Sequence, residues 1–279
     1  MNEISVSAIC TFSLSLVEDV AFWQRHGIDR VGVSVAKLER HGWDDGIALV
    51  RDSGVTVGNL IGLGPFHLDR PAAWDVQRER LSRAVEVAEE LRASCMVFTT
   101  GPAGALNWED AADALESALA PTLAEARARG VPFALEHTHA LRADVGFVHS
   151  LHDAIDLARV LDIGVCMEIN ACWAERALEQ TIRSGIDVIR LVQVSDYSIG
   201  TTSTPDRLVP GDGDIPLARI LGCVVDAGYE GAFDLELIGP RIEAEGYDAA
   251  VPRAVTALEH LLTAVSPQDA VSATGGDTE

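Results

Sequence analysis

ALEHTHALRADVGFVHSLHDAIDLARVLDIGVCME, residues Ala134–Glu168, reads as strand, loop, helix and strand. "PFALEH" is a short run of strand type, "SLHDAIDLARVL" is an amphipathic helix candidate, and "GVCMEIN" is a second strand. Two strands joined through a helix make a βαβ unit, whose strands lie parallel. Each strand of this unit closes on a glutamate, Glu136 in the first and Glu168 in the second.

The same alternation runs through the chain in both directions. The other strand candidates are "ISVSAI", "RVGVSV", "VTVGNLIG", "SCMVFTT", "VIRLVQVS" and "AFDLELIG". Between and after them lie "WDVQRERLSRAVEVAEELRA", "WEDAADALESALAPTLAEARARG", "ERALEQTIRSG", "PLARILGCVVDAG" and "YDAAVPRAVTALEHLLTAV", all read as helices. In the first of these, Leu81, Ala84, Val85, Val87 and Ala88 form an apolar face. Gly130, Gly185 and Gly228 stand where helix C-caps stand. Eight such units give roughly 35 residues each, which fits an α/β chain folded as a (β/α)8 TIM barrel. A doubly wound open sheet is the rival, but the first strand runs into "CTFSLSLVED" without a GxGxxG phosphate loop. The reading is one barrel domain over residues 1–265, with the small, polar, glycine-containing segment 266–279 as a disordered tail.

Composition narrows the function. The 279 residues are 48% hydrophobic, enough for a large core, with no apolar run of membrane-spanning length and no secretory leader pattern. The formal net charge of −22 disfavours phosphate backbones and anionic lipid as partners. Five scattered cysteines, Cys10, Cys95, Cys166, Cys172 and Cys223, form no CxxC pair. Reduced thiols in a cytoplasmic protein are the expectation. A homodimer is expected only on general frequency.

In a barrel the chemistry sits at the C-terminal ends of the strands. Those ends carry Glu136, His137 and His139; Glu168 and Asn170; Gln193, Ser195 and Asp196; and Glu236. Three glutamates gathered at one mouth repel unless they are protonated or share a cation, and a divalent metal resolves the conflict. Gln193, set between two valines, is either a satisfied core amide or a neutral fourth ligand. An all-oxygen set favours Mn2+ or Mg2+, with Co2+ or Zn2+ as lesser options.

With the later stretch "RLVPGDGDIPLARILGCVVDAGYEGAFDLELIGP", the chain resembles the xylose-isomerase-like TIM barrels of the sugar phosphate isomerase/epimerase superfamily. The nearest flavour is the inosose isomerase, tagatose 3-epimerase and 3-dehydroshikimate dehydratase branch. The resemblance is clear over residues 130–240 and weaker before them. It implies one divalent metal held by Glu, Asp, His and Glu, falling here on Glu136, Glu168, Gln193 and Glu236. The arginine before the PGDGD turn falls on Arg207. Two departures stand out. Glu168 is one methylene longer than the family's Asp, and Ala171 stands where a His is common.

The resemblance implies proton transfer beside a carbonyl of a small keto sugar, inosose or related hydroxy-ketone, and Glu136 and Glu236 are then the candidate bases across an enediolate. Loss of a β-hydroxyl would make the enzyme a dehydratase instead. A non-catalytic small-molecule-binding barrel is the rival from another class. The related DNA-repair endonuclease IV barrel is disfavoured because the chain has neither a histidine-rich site nor a basic face. Arg207 is read either as a holder of a substrate oxyanion or as an ion-pair partner. His139, His67, Asn170 and Trp173 are candidate substrate contacts, and Phe12, Phe66 and Trp108 candidate apolar walls.

Overall fold

The computed structural model describes residues 3–266. The proposed tail beyond Ser266 lies outside the described residues. Eight parallel strands close into a barrel in sequence order: β1 Ile4–Ser7, β2 Arg30–Ser34, β3 Thr56–Leu63, β4 Cys95–Thr99, β5 Phe133–Glu136, β6 Gly164–Glu168, β7 Ile189–Val194 and β8 Phe233–Leu235. The helices are α1 Leu16–His26, α2 Val35–His41, α3 Trp43–Asp52, α4 Trp74–Leu91, α5 Trp108–Arg129, α6 Leu151–Leu161, α7 Ile169–Cys172, α8 Leu178–Gly185, α9 Leu217–Asp226, α10 Pro240–Glu245 and α11 Tyr247–Val265. All eight strands expected from the sequence are present. No helix among the described residues is long and apolar enough to cross a membrane.

Side chains along a strand alternate between faces, so each barrel strand serves two environments. Met96, Phe98, Leu135, Val165, Met167, Val192, Val194, Phe233 and Leu235 join the core between the strands and the helices. Cys95, Val97, Ala134, Cys166 and Leu191 form a separate cluster inside the barrel. This phase decides where the polar residues go. Glu136 is two residues after Ala134, Glu168 two after Cys166 and Gln193 two after Leu191, so all three continue the inward face. Outward Phe233 and Leu235 leave Asp234 and Glu236 inward.

Local chemistry sets the helix ends. Ser15 and Glu18 form a reciprocal capping box on α1, which ends at Gly27 in the left-handed region. Ser150 caps α6 by accepting from the amide of Asp153. Gly130 ends α5 with φ of 70° and Gly228 follows α9 with φ of 89°, as the sequence suggests. Gly185 does not act as a cap. It is the last residue of α8, and its role is close packing: a Cβ there would sit 2.2 Å from Cδ1 of Ile155 on α6.

Candidate active site

The ends of β5, β6 and β8 bring the carboxylates of Glu136, Glu168 and Glu236 together, with one oxygen from each within 4.8 Å of the others. They form the floor of a cavity of about 290 Å3 at the C-terminal mouth of the barrel. All three are largely buried. Burial raises the pKa of Glu136 well above the usual carboxylate range, and the charges of Glu236 and Glu168 push it the same way. Burial also lifts Glu168 to about 8, against the opposing pull of Arg207.

Arg207 answers part of this repulsion. Its Nη1 donates to Oε2 of Glu168 at 2.5 Å, to Oε2 of Glu236 at 2.8 Å and to the Glu236 carbonyl at 3.2 Å. Burial alone would lower the guanidinium pKa, but Glu168, Glu236 and Glu136 hold it above its ordinary value. Of the two readings of Arg207 from sequence, the ion pair is thus present, with Glu168 and Glu236 as its partners. The arginine also lines the cavity.

Arg207 owes its place to Asp196, at the end of β7. Asp196 exchanges backbone hydrogen bonds with Leu208, and its buried carboxylate accepts the amides of Tyr197, Gly211, Gly213 and Ile215 at 2.8–3.0 Å. The PGDGD segment is wound around this one side chain. Gly213 has no room for more: a Cβ there would lie 2.4 Å from Oδ1 of Asp196.

Gln193 lies beside Glu168 in the β6–β7 register. It is fully buried, and neither Oε1 nor Nε2 has a hydrogen-bond partner. An unpaired buried amide costs free energy. A divalent ion fits this set on two counts. Three carboxylates against one guanidinium leave two negative charges unmatched when all are ionised, and the unpaired amide of Gln193 belongs to the residue next to Glu168 in the register, although Gln193 is not among the residues that line the cavity. Glu136, Glu168, Gln193 and Glu236 are the residues that would hold it.

The remaining sequence candidates separate into two groups. His139 and Asn170 line the cavity; Asn170 also donates its backbone amide to Oε1 of Glu168 at 2.9 Å. Asn170 belongs to α7, because β6 ends at Glu168. His67 and Trp173 are not in the lining. Phe66 and Leu68 anchor their loop in the core, which turns His67 between them out to solvent. Trp173 packs on Tyr197 with ring centroids 6.4 Å apart, and Ala171 takes the lining position instead. Phe12, Phe66 and Trp108 do not wall the cavity either: Phe66 is core, Phe12 is exposed, and Trp108 stacks edge-on against Phe147.

His137 faces away from the mouth. It is fully buried, its Nε2 accepts the amide of Glu168 at 3.2 Å, and burial lowers its pKa to about 3. A neutral imidazole thus holds the end of β6. Two contributors escaped the sequence reading. Asp196 was noted as a strand end but given no role, and Arg142, which lines the cavity, was not singled out.

A family model described as the xylose isomerase-like TIM barrel matches residues 20–261. An inosose isomerase of Halalkalibacterium halodurans is 29% identical over 122 residues, a match covering 41% of this chain and 42% of that protein's length. Among solved structures, protein SMc04130 from Sinorhizobium meliloti 1021 superposes with a TM-score of 0.78 at 26% identity, covering 92% of this chain and 98% of that one. The IOLI protein, solved with a bound zinc atom, gives a TM-score of 0.80 at 16% identity over 96% of this chain and 100% of that one.

Proposed function

The chain belongs to the xylose isomerase-like TIM barrel family, and on that footing we propose that it is a divalent-metal-dependent isomerase or epimerase of a small keto sugar, inosose or related hydroxy-ketone. The observation that carries this reading is the carboxylate triad from three separate strands at the floor of one cavity, beside an unpaired buried amide.

A divalent ion would be held by Glu136, Glu168, Gln193 and Glu236 and would supply Lewis acidity toward a carbonyl and the C–H beside it. The chain's own groups do the rest. Glu136 and Glu236 project from strands separated by two others, and the two-base scheme has them act on a planar intermediate from different sides. One carboxylate takes the proton from carbon and an enediolate forms. A proton from the other returns to the opposite face or the adjacent carbon. Arg207 balances charge on Glu168 and Glu236 and keeps both in place. Asn170 and His139 offer donors to substrate hydroxyls.

Oxygen-only donors favour Mn2+ or Mg2+. Zinc, which the IOLI protein binds, and Co2+ belong in the same assay. A second reading, loss of a β-hydroxyl from the same enediolate, is supported by Ala171 in the cavity wall, where no imidazole stands to hold a sugar hydroxyl.

The test is proton wash-out in D2O, followed by NMR with each metal and a panel of hydroxy-ketones. Exchange at the carbon beside the carbonyl, abolished by Glu236→Gln, is the expected result. Olefinic signals would select the dehydratase reading. No exchange with any metal, or full turnover in Glu236→Gln, overturns the two-base scheme.

A further inference from the structure

Below the floor of the cavity, the inner wall of the barrel changes character halfway round. On the side of β4 to β7 it is apolar, with Cys95, Val97, Ala134, Cys166 and Leu191 packed together. On the other four strands Val6, Val31, Val33, Leu60, Phe233 and Leu235 face outward into the main core. The inward positions beside them hold Ser5 on β1, Gly32 on β2, Asn59 on β3 and Asp234 on β8. Barrel interiors are ordinarily filled by bulky branched side chains. Here one side carries a hydroxyl, an amide and a carboxylate instead. Ser5 is the register partner of Asp234, and Asn59 that of Gly32. Asp234 comes two residues before Glu236, so this layer lies about 6.6 Å beneath the floor.

Ser5, Asn59 and Asp234 are completely buried. Oγ of Ser5, both amide atoms of Asn59 and both carboxylate oxygens of Asp234 lack a hydrogen-bond partner. Ser5 and Asn59 are nonetheless the polar neighbours of Asp234, and the charged group acting on it is Glu236, of like sign. Arg30 reaches the layer only with its stem. Its guanidinium is bound to Glu3 at 2.6 Å. Two glycines keep the polar heads in place. A Cβ on Gly32 would lie 2.7 Å from Oδ1 of Asn59, and one on Gly58 would lie 3.1 Å from Oγ of Ser5.

A buried carboxylate with no counter-charge is costly. Were Ser5 and Asn59 both to turn and donate to it, the charge and the Asn59 carbonyl oxygen would still lack partners. A water molecule would satisfy the hydrogen bonds and leave the charge. A divalent ion would leave one positive charge in excess, because the layer supplies a single carboxylate. One monovalent cation balances it, and all four oxygens are hard donors suited to an alkali ion.

We propose that Ser5, Asn59 and Asp234 form a site for one monovalent cation inside the barrel, beneath the active-site floor. The ion is sodium rather than potassium, because three short side chains offer only four oxygens. Its charge makes the layer neutral and spares Glu236 a like charge from below. The site stands apart from the metal and substrate reading of the floor.

The experiment is a set of thermal melts at constant ionic strength, with choline chloride replaced stepwise by sodium or potassium chloride. Excess Mn2+ is present throughout, so that sodium does not compete for the floor glutamates. Sodium should raise the wild-type Tm saturably, by about 5 °C at 100 times its midpoint concentration. Asp234→Asn should melt in choline at or above the wild type and lose the sodium shift. Ser5→Ala keeps the charge and should move the sodium midpoint up ~5- to 10-fold, the size of one lost ligand contact; this variant decides the matter if Asp234→Asn does not fold. Identical wild-type melts in choline and sodium overturn the site, since a proton or a water then suffices. A sodium shift that survives Asp234→Asn, or a midpoint unmoved by Ser5→Ala, places the ion elsewhere and overturns it as well. Potassium acting as strongly as sodium overturns the choice of ion.

Discussion

Replacing Arg207 with methionine isolates the electrostatic problem of this site. The substitution removes the Nη1 donor shared by Glu168 at 2.5 Å and Glu236 at 2.8 Å. It leaves three buried carboxylates within 4.8 Å with no fixed cation. Breaking a buried ion pair by removing one partner costs about 3–5 kcal/mol. For a domain of this size, that is a fall in Tm on the order of 10 °C. The cost should be read at pH 8 in EDTA, where the same carboxylates in the unfolded chain are ionised. Mn2+ at 100 times its Kd contributes about 2.7 kcal/mol, so adding the ion should restore more than half of the loss. The assay is a pair of thermal melts on wild type and Arg207→Met, each with EDTA and with excess Mn2+. A variant that melts within about 1 °C of wild type in EDTA would refute the idea that the carboxylates depend on the guanidinium. A variant that Mn2+ cannot stabilise would refute the idea that ion and arginine share one task.

Gln193→Leu should leave the metal-free melt unchanged or raise it by up to ~2 kcal/mol, because an unpaired buried amide is removed; the same change should weaken the Mn2+ midpoint at least ~10-fold if the amide is a ligand, and an unaltered midpoint removes Gln193 from the donor set. Gly185→Ala should cost ~1–3 kcal/mol by overpacking against Ile155, and Ile155→Val in the same chain should recover most of it in urea titrations; additive losses would show that the contact is not the cause. Asp196→Ala strips acceptors from four backbone amides and should cost ~3 kcal/mol or more, with hydrogen exchange at Gly211, Gly213 and Ile215 speeding up; unchanged protection there would count against the clamp. The folded pKa of His137, about 3, lies below its unfolded value. Its contribution is therefore complete above pH ~6.5 and is lost as the pH falls toward 3, at up to ~1.4 kcal/mol per pH unit. His137→Gln should remove one proton's worth of that slope in urea titrations between pH 4 and 7, and an undiminished slope would assign the acid sensitivity elsewhere.

The strands and the floor of the site were legible because a barrel strand has only two faces. Once Val192 and Val194 are placed in the outer core, Gln193 has nowhere to point but inward, and the same parity fixes Glu136, Glu168 and Glu236. Loops carry no such parity. His67 looked available because it is polar and follows a strand, yet two apolar neighbours claim the core and turn it outward. Arg142 was hidden for the converse reason: its place at the rim depends on hydrogen bonds from Val145 and Gly146 and on the tie to Gly101, which no short-range pattern announces. Gly185 is similar, since nothing in its own segment reveals the Ile155 methyl that excludes a side chain. Arg207 was placed correctly before its turn, but its double engagement with Glu168 and Glu236 needed the two strands to be adjacent in space to its loop.

Asp196 grips its loop through main-chain amides, so the sequence it encircles is free to change wherever a side chain is not itself in contact. The connection after β7 is therefore a cassette fastened mainly through that carboxylate, with the Arg207 amide on the Ile238 carbonyl and the Arg253–Asp212 pair as further ties. Moved into a sister barrel together with that aspartate and with Gly211 and Gly213, residues 207–215 should deliver the guanidinium to the new mouth; moved without it, they should hang loose and deliver nothing.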